Sequence, residues 1–290
     1  MPAETNLTRI TNATALSLDL VNKFNNRMKS LYELLGINRV LKVQNGSSIT
    51  VYKAATVTLD NTEVAPGDII PLSKVELQAA EVIPMVWDKK RKAVPAEDIQ
   101  KYGFNTAIEM TDDALIRELQ KKIRTDLIAN LATGTGTATG ANLQEVFAQN
   151  WGKVTSTFSE DDVQVISFIN NMDAADYLGN AEITTQTLFG MQYLEGFMNN
   201  KLVFMHPSIP EGTVYSTADQ NLIAAFVDMT NANLDEFDFV NDSTGAIGVT
   251  HDINKQRLTA ETITASAVKL YAEVLDGVVI GSITPEVAGA

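Results

Sequence analysis

Side chains able to do acid–base or nucleophilic work are scarce in this chain. It has two histidines, His206 and His251, and no cysteine, so thiolate zinc sites, disulfide frameworks and cysteine nucleophiles are excluded. His206 precedes Pro207 in an expected turn, and His251 follows Thr250 near an expected strand end; neither falls in an H-E-x-x-H pattern. The chain contains no G-x-S-x-G elbow and no G-x-x-x-x-G-K-[ST] loop to cradle a phosphate. Gly134, Gly136 and Gly140 form G-x-G-x-x-x-G, one residue too long for the dinucleotide fingerprint. They also follow a predicted helix where that motif needs a strand. Asp235, Glu236, Asp238, Asn241 and Asp242 offer oxygen atoms to a cation but lack the glycine and closing glutamate of an EF-hand loop. They read as a solvated acidic loop. A carboxylate-based hydrolase stays open as a distant alternative, because the spacing of paired carboxylates exists only in three dimensions. No catalytic residue, cofactor or metal ligand is assigned.

Charge is the next signal. The chain carries 22 Lys and Arg against 36 Asp and Glu, a net of −14, which argues against a surface built all round to grip nucleic acid. The excess is unevenly placed. Residues 1–132 hold 17 basic and 16 acidic side chains, whereas residues 133–290 hold 5 and 20. Two electrically unlike halves suit either a solubilising acidic domain or contact between the basic part of one copy and the acidic part of the next. No apolar run approaches the ~18 residues of a membrane span, and the first thirty residues do not read as a signal peptide.

The elements that must carry these groups follow from periodicity. Met1 to Ala13 reads as an extended arm. Leu20, Val21, Phe24, Met28, Leu31 and Leu35 recur at three- and four-residue steps and predict an amphipathic helix over 17–35, stopped by Gly36. Its apolar face, with Phe24, Met28 and Leu31 at the centre, packs on its own domain or docks on a neighbouring copy. Residues 49–59 alternate with period two, Pro66-Gly67-Asp68 is turn chemistry, and a return strand runs from Val75 to Trp87, broken by Glu81 and with Pro84 pointing to an edge or bulge. A two-stranded excursion of this length is marginal alone in water, so it is expected to rest on something outside its domain. Lys89, Lys90, Arg91 and Lys92 follow. The cluster reads as a solvated turn, as a nucleic-acid patch, or as candidate intersubunit ion-pairing residues.

Thr111 is expected to cap a helix over 112–131, with Asp112 and Asp113 complementing its positive end. Thr133 to Asn142 is a Gly/Thr-rich low-complexity stretch, read as a linker and domain boundary. Beyond it, Ser159 to Asp162 looks like a cap and Val163–Ile169 leans to strand. Asp173–Leu178 is a short helix, 201–205 and 212–215 are strands about a turn, 221–228 is helix or strand, and 267–271 and 278–283 are strands. Strands and helices are mixed without strict alternation, which gives an α+β fold class.

In this order the elements resemble the major capsid protein of tailed bacteriophages, the Hong Kong 97-type capsid fold. Val165 to Leu178 resembles that family's strand followed by Asn-Pro-x-Asp-x-x-x-Tyr-Leu, with Asn171 where proline is frequent. Residues 202–228, 248–252 and 273–279 resemble its later strands. The resemblance implies an N-terminal arm at 1–40, an extended hairpin (E-loop) at 41–100, and a peripheral domain from 101–142 and 255–290 with a long spine helix. An axial domain is implied at 143–254. It further implies a non-enzymatic protein that assembles with itself as hexamers and pentamers around packaged double-stranded DNA, located in the virion and assembled in the host bacterial cytoplasm. Expected partners are a separate scaffolding protein, a portal and, as an open addition, decoration proteins; no membrane is involved. An encapsulin-like bacterial nanocompartment shell is the alternative.

Overall fold

The computed structural model describes residues 11–53, 56–58, 60, 63–64, 66–67, 69–76, 78–158, 163–179, 185–188, 191–230, 234, 237–241 and 244–284. Most of the expected arm, the cap at Ser159–Asp162, Asp68 of the turn, and Asp235, Glu236 and Asp242 of the acidic loop lie outside the described residues.

Helix α1 (Thr11–Leu35) begins earlier than expected and buries the predicted stripe of Leu20, Val21, Phe24, Met28, Leu31 and Leu35. Gly36, at φ 67°, ends it in the left-handed conformation that L side chains resist. Strand β1 (Val40–Val43) follows, and then the hairpin in two steps. Its inner pair is β2 (Ser48–Tyr52) with β5 (Ala79–Pro84); its outer pair is β3 (Thr56–Thr58) with β4 (Lys74–Glu76). The basic cluster lies in β6 (Asp88–Pro95), and a short helix α2 (Ala96–Tyr102) leads to α3 (Phe104–Leu131). At 28 residues, α3 is about 42 Å long.

Three expectations are corrected here. Thr111 is no N-cap: α3 starts at Phe104, and the Thr111 hydroxyl donates back to Ile108 O at 2.8 Å inside the helix. Residues 89–92 form no turn, since each is registered against β15 in a regular antiparallel ladder. The Gly/Thr-rich stretch is no linker either. Residues 136–140 form β7 (Gly136–Gly140), parallel to β17 at the edge of the largest sheet. The glycines permit a close approach there. A Cβ on Gly136 would lie 2.9 Å from Val278 O, and one on Gly140 would lie 2.8 Å from Val146 N.

Helix α4 (Leu143–Thr157), capped by the Asn142 side chain, covers that sheet. Strand β8 (Val165–Ile169) is buried along its whole length, as its unbroken apolar run demands. Then come α5 (Asn171–Leu178), β9 (Gln186–Leu188), β10 (Met191–Phe197), β11 (Asn200–Met205), β12 (Thr213–Ala218) and β13 (Leu222–Val227). The described residues close with β14 (Ile247–Asn254), β15 (Thr259–Ser266), β16 (Val268–Ala272) and β17 (Val278–Ile283).

Among the described residues the strands order as β7-β17-β12-β8-β11-β10-β9, β1-β13-β16 and β14-β15-β6, beside the two hairpin pairs. The main core joins the inner faces of α1 and α3 to residues of all three larger sheets, including Phe168, Phe204, Ala224, Ile247 and Leu270. Strands and helices share one mixed α+β body, and no described helix is long and apolar enough to cross a membrane.

Candidate assembly surface

Strand β6 shows how a basic run is accommodated. Alternation sends Asp88, Lys90, Lys92 and Val94 to one face and Lys89, Arg91 and Ala93 to the other. On the first face Lys92 reaches α3, where its ammonium donates to Ile108 O at 3.0 Å and to Thr111 Oγ1 and pairs with the Asp112 carboxylate. Burial pushes the Lys92 ammonium below its ordinary pKa and the Asp112 carboxyl above its own, outweighing their mutual attraction. The ladder register puts His251, Thr262 and Lys92 in one row across β14, β15 and β6. Burial, reinforced by the Lys92 charge, lowers the His251 pKa to about 4. On the second face Arg91 Nε donates to Glu261 Oε2 at 2.9 Å, and this bonding holds the Glu261 carboxyl below the usual carboxylate range. Arg91 and Lys92 are thus engaged within the chain. Lys89 lies over the Trp87 ring, Lys90 sits 3.3 Å from Asp88, and both are exposed.

Phe24, Met28 and Leu31 also turn inward. Each is at most 2 % exposed, packed with α3 and the sheets of its own chain. Of the sequence-selected contact residues, Lys89, Lys90 and Arg91 keep exposed surface, and Arg91 is the one of the three already bonded to a buried carboxylate.

The hairpin divides at its bulge. Val51, Ile83 and Met85 are buried in a second cluster with Ile223, Val227 and Tyr271, so the inner pair rests on its own chain. Among the described residues the outer part contributes none to a buried cluster. Ile69, Ile70 and Leu72 are 94 %, 77 % and 96 % exposed, and Val75 beside them is also exposed. Single exposed apolar residues are ordinary, but a run of large ones at a loop tip marks a contact site. The hairpin is thus not one unsupported unit; its uncovered part is the tip, for which Ile-Ile-Pro-Leu close after Pro66-Gly67 is the signal in the sequence.

His206 is buried at the end of β11, and its Nδ1 accepts the Ser208 N–H at 3.2 Å. Burial and the Arg124 charge lower its pKa. Among the described residues no group of three or more His, Asp or Glu side chains could hold a metal ion. A cavity of about 560 Å³ is lined by Asp173, Asp176 and Glu211. Its partly buried acid, Asp173, has a raised pKa through burial and accepts the Gly212 N–H at 2.9 Å, which ties the turn before β12 to α5. A larger cavity of about 840 Å³ is lined by Glu33, Trp151, Glu195 and Lys201, among others, and the Lys201 ammonium is taken by Asp219 at 3.0 Å.

Comparison with known proteins agrees with the architecture. No protein-family model matches the sequence, and no curated protein matches it. Solved structures do. A virus-like particle from Pyrococcus furiosus superposes with TM-score 0.54 at 11 % identity, over 92 % of this chain and 98 % of its own. A structure of Mycobacterium phage Che8 gives TM-score 0.50 at 10 % identity, over 82 % and 85 %. The holo-SrpI encapsulin complex of Synechococcus elongatus PCC 7942 gives 0.50 at 10 % identity, over 87 % and 86 %. The α+β body, with its projecting hairpin and long helix, is of the class seen in protein shells. It is the Hong Kong 97-type fold.

Proposed function

We propose that this chain is a structural shell protein: the major head protein of a tailed bacteriophage, assembling with itself as hexamers and pentamers around packaged DNA. The exposed apolar tip Ile69-Ile70-Pro71-Leu72 carries this reading. Covering each of its three large side chains stabilises by about 1.5–3 kcal/mol. A second copy is the partner of matching chemistry, because every copy brings a core of the same fold against which to lay the arm. Lys89 and Lys90, exposed on β6, would meet the acidic 133–290 half of a neighbour, as the charge asymmetry of the sequence suggests.

An encapsulin-like nanocompartment is the second reading, favoured by an encapsulin match at the same TM-score as the phage match. Electron microscopy of the expressed protein tests the shared part. Closed particles are expected, and a chain that stays monomeric with scaffolding protein supplied overturns it. Nucleic acid inside particles recovered from their natural source supports the phage head; enzyme inside without DNA supports the nanocompartment.

A further inference from the structure

Glu81 interrupts the apolar alternation of β5, and its position explains why. It shares the inward face of β5 with the buried Ile83, so a carboxylate points at the body of the protein. Its Oε2 accepts from Asn130 Nδ2 and from Thr133 Oγ1, both at 3.1 Å, at the C-terminal end of α3. Asn130 is itself 7 % exposed, and its Oδ1 takes the Ala272 N–H of β16 at 2.8 Å. One amide thus joins the hairpin to the last turn of the long helix and to the strand beneath.

Two further observations meet at the same place. Glu81 is registered opposite Val51 and Ala79 opposite Tyr52, so the ladder skips Ala80 and a β-bulge lies in β5 directly beside the carboxylate. Bulges disrupt pairing locally and bend the strand. Beneath the strand is a cavity of about 400 Å³ lined by Glu81, Val82, Ile83, Asp126, Asn130 and Lys269. Inward of this point, Ile83 and Met85 are buried. Outward of it, Ala79, Ala80 and residues 74–76 are exposed, and Tyr52 meets Val274 in an isolated bridge.

We propose that Glu81 is the latch of a hinge. The bulge at Ala80, opposite the Val51–Tyr52 step, is the pivot and the cavity is the room into which the strand moves. The Glu81–Asn130–Thr133 hydrogen bonds select one orientation of the outer hairpin. Thr133 is suited to releasing them, since its single hydroxyl proton also has Asn130 O within 2.7 Å and can serve one acceptor at a time. The hinge belongs to the single chain, so it stands or falls separately from the shell reading.

The absence of cysteine makes the test direct. Thr58→Cys on β3 and Lys121→Cys on α3 receive nitroxide labels, and pulsed electron resonance reads their distance distribution in the unassembled protein. With Glu81 present the distribution should be narrow. Glu81→Ala should broaden or shift it. Glu81→Gln, whose amide oxygen still accepts, should restore the narrow form. Thr133→Val, at an exposed position, should broaden it in part and carries the test if Glu81→Ala fails to fold. A distribution unchanged in Glu81→Ala overturns the proposal. So does one unchanged in Thr133→Val when Glu81→Ala does not fold, or a Glu81→Gln protein as broad as Glu81→Ala.

Discussion

Lys92 and Asp112 form an ion pair with 15 % and 8 % of their side chains exposed, which fastens β6 beneath α3. Buried pairs of this kind pay a desolvation cost that their attraction only partly returns, in keeping with the opposite displacement of both pKa values. Removing one partner strands the other charge. Lys92→Met or Asp112→Leu alone should destabilise the fold by about 3 kcal/mol, while the double replacement should recover most of that loss. Urea unfolding of the four proteins measures it, and additive single losses would remove the coupling.

Acid should weaken the same region. The His251 pKa in the folded chain, about 4, lies below its ordinary 6.5. The unfolded chain therefore binds the proton first, and stability falls as pH drops from about 6.5 towards 4. Because the ring is partly solvated, the loss is about 1–2 kcal/mol rather than the full value of the shift. Asp112, raised by burial, favours the folded state as it takes up its proton and offsets part of this at the acid end. His251→Asn should flatten the slope of melting temperature against pH between 6.5 and 4.5; an unaltered slope would place the titrating group elsewhere.

The hairpin tip separates folding from assembly. Changing Ile69, Ile70 and Leu72 to Ser touches nothing buried in the single chain and should move stability by less than about 0.5 kcal/mol. Closed particles should disappear. Analytical sedimentation with parallel thermal melts tests both halves, and particles that form normally would deprive the tip of its proposed role.

The four basic residues of β6 should behave as two pairs. Lys89→Gln with Lys90→Gln should leave melting unchanged and weaken assembly most at low salt, where exposed charges act furthest. Arg91→Gln with Lys92→Gln should instead destabilise the fold, since Glu261 and Asp112 lose their partners. Assembly indifferent to Lys89 and Lys90 at low salt would remove them from any intersubunit contact.

Much of this fold can be read locally. The three- and four-residue spacing of Leu20 to Leu35 shows which face of α1 is buried, and the apolar run Val165–Ile169 shows a strand covered on both sides, because both patterns report burial of a side chain's own face. The misreadings share one cause. Thr111-Asp112-Asp113 has the composition of a helix start, Lys89 to Lys92 that of a solvated turn, and Gly134 to Gly140 that of a linker. Each takes its actual form from a partner far away in the chain: Lys92 for Asp112, Glu261 for Arg91, and the backbone of Val278 for Gly136.

Glu81 is the sharpest case. The sequence alone established an α+β chain with a long hairpin, a long helix, two electrically unlike halves and little raw material for catalysis. It marked Glu81 as out of pattern. The tertiary structure decided why, by bringing the end of α3 to within 3.1 Å of that carboxylate. It also decided which hydrophobic residues remain uncovered, Ile69 to Leu72 instead of Phe24 to Leu31. Periodicity gives each element an apolar face, but what covers that face depends on contacts between residues distant in sequence, which exist only once the chain has folded.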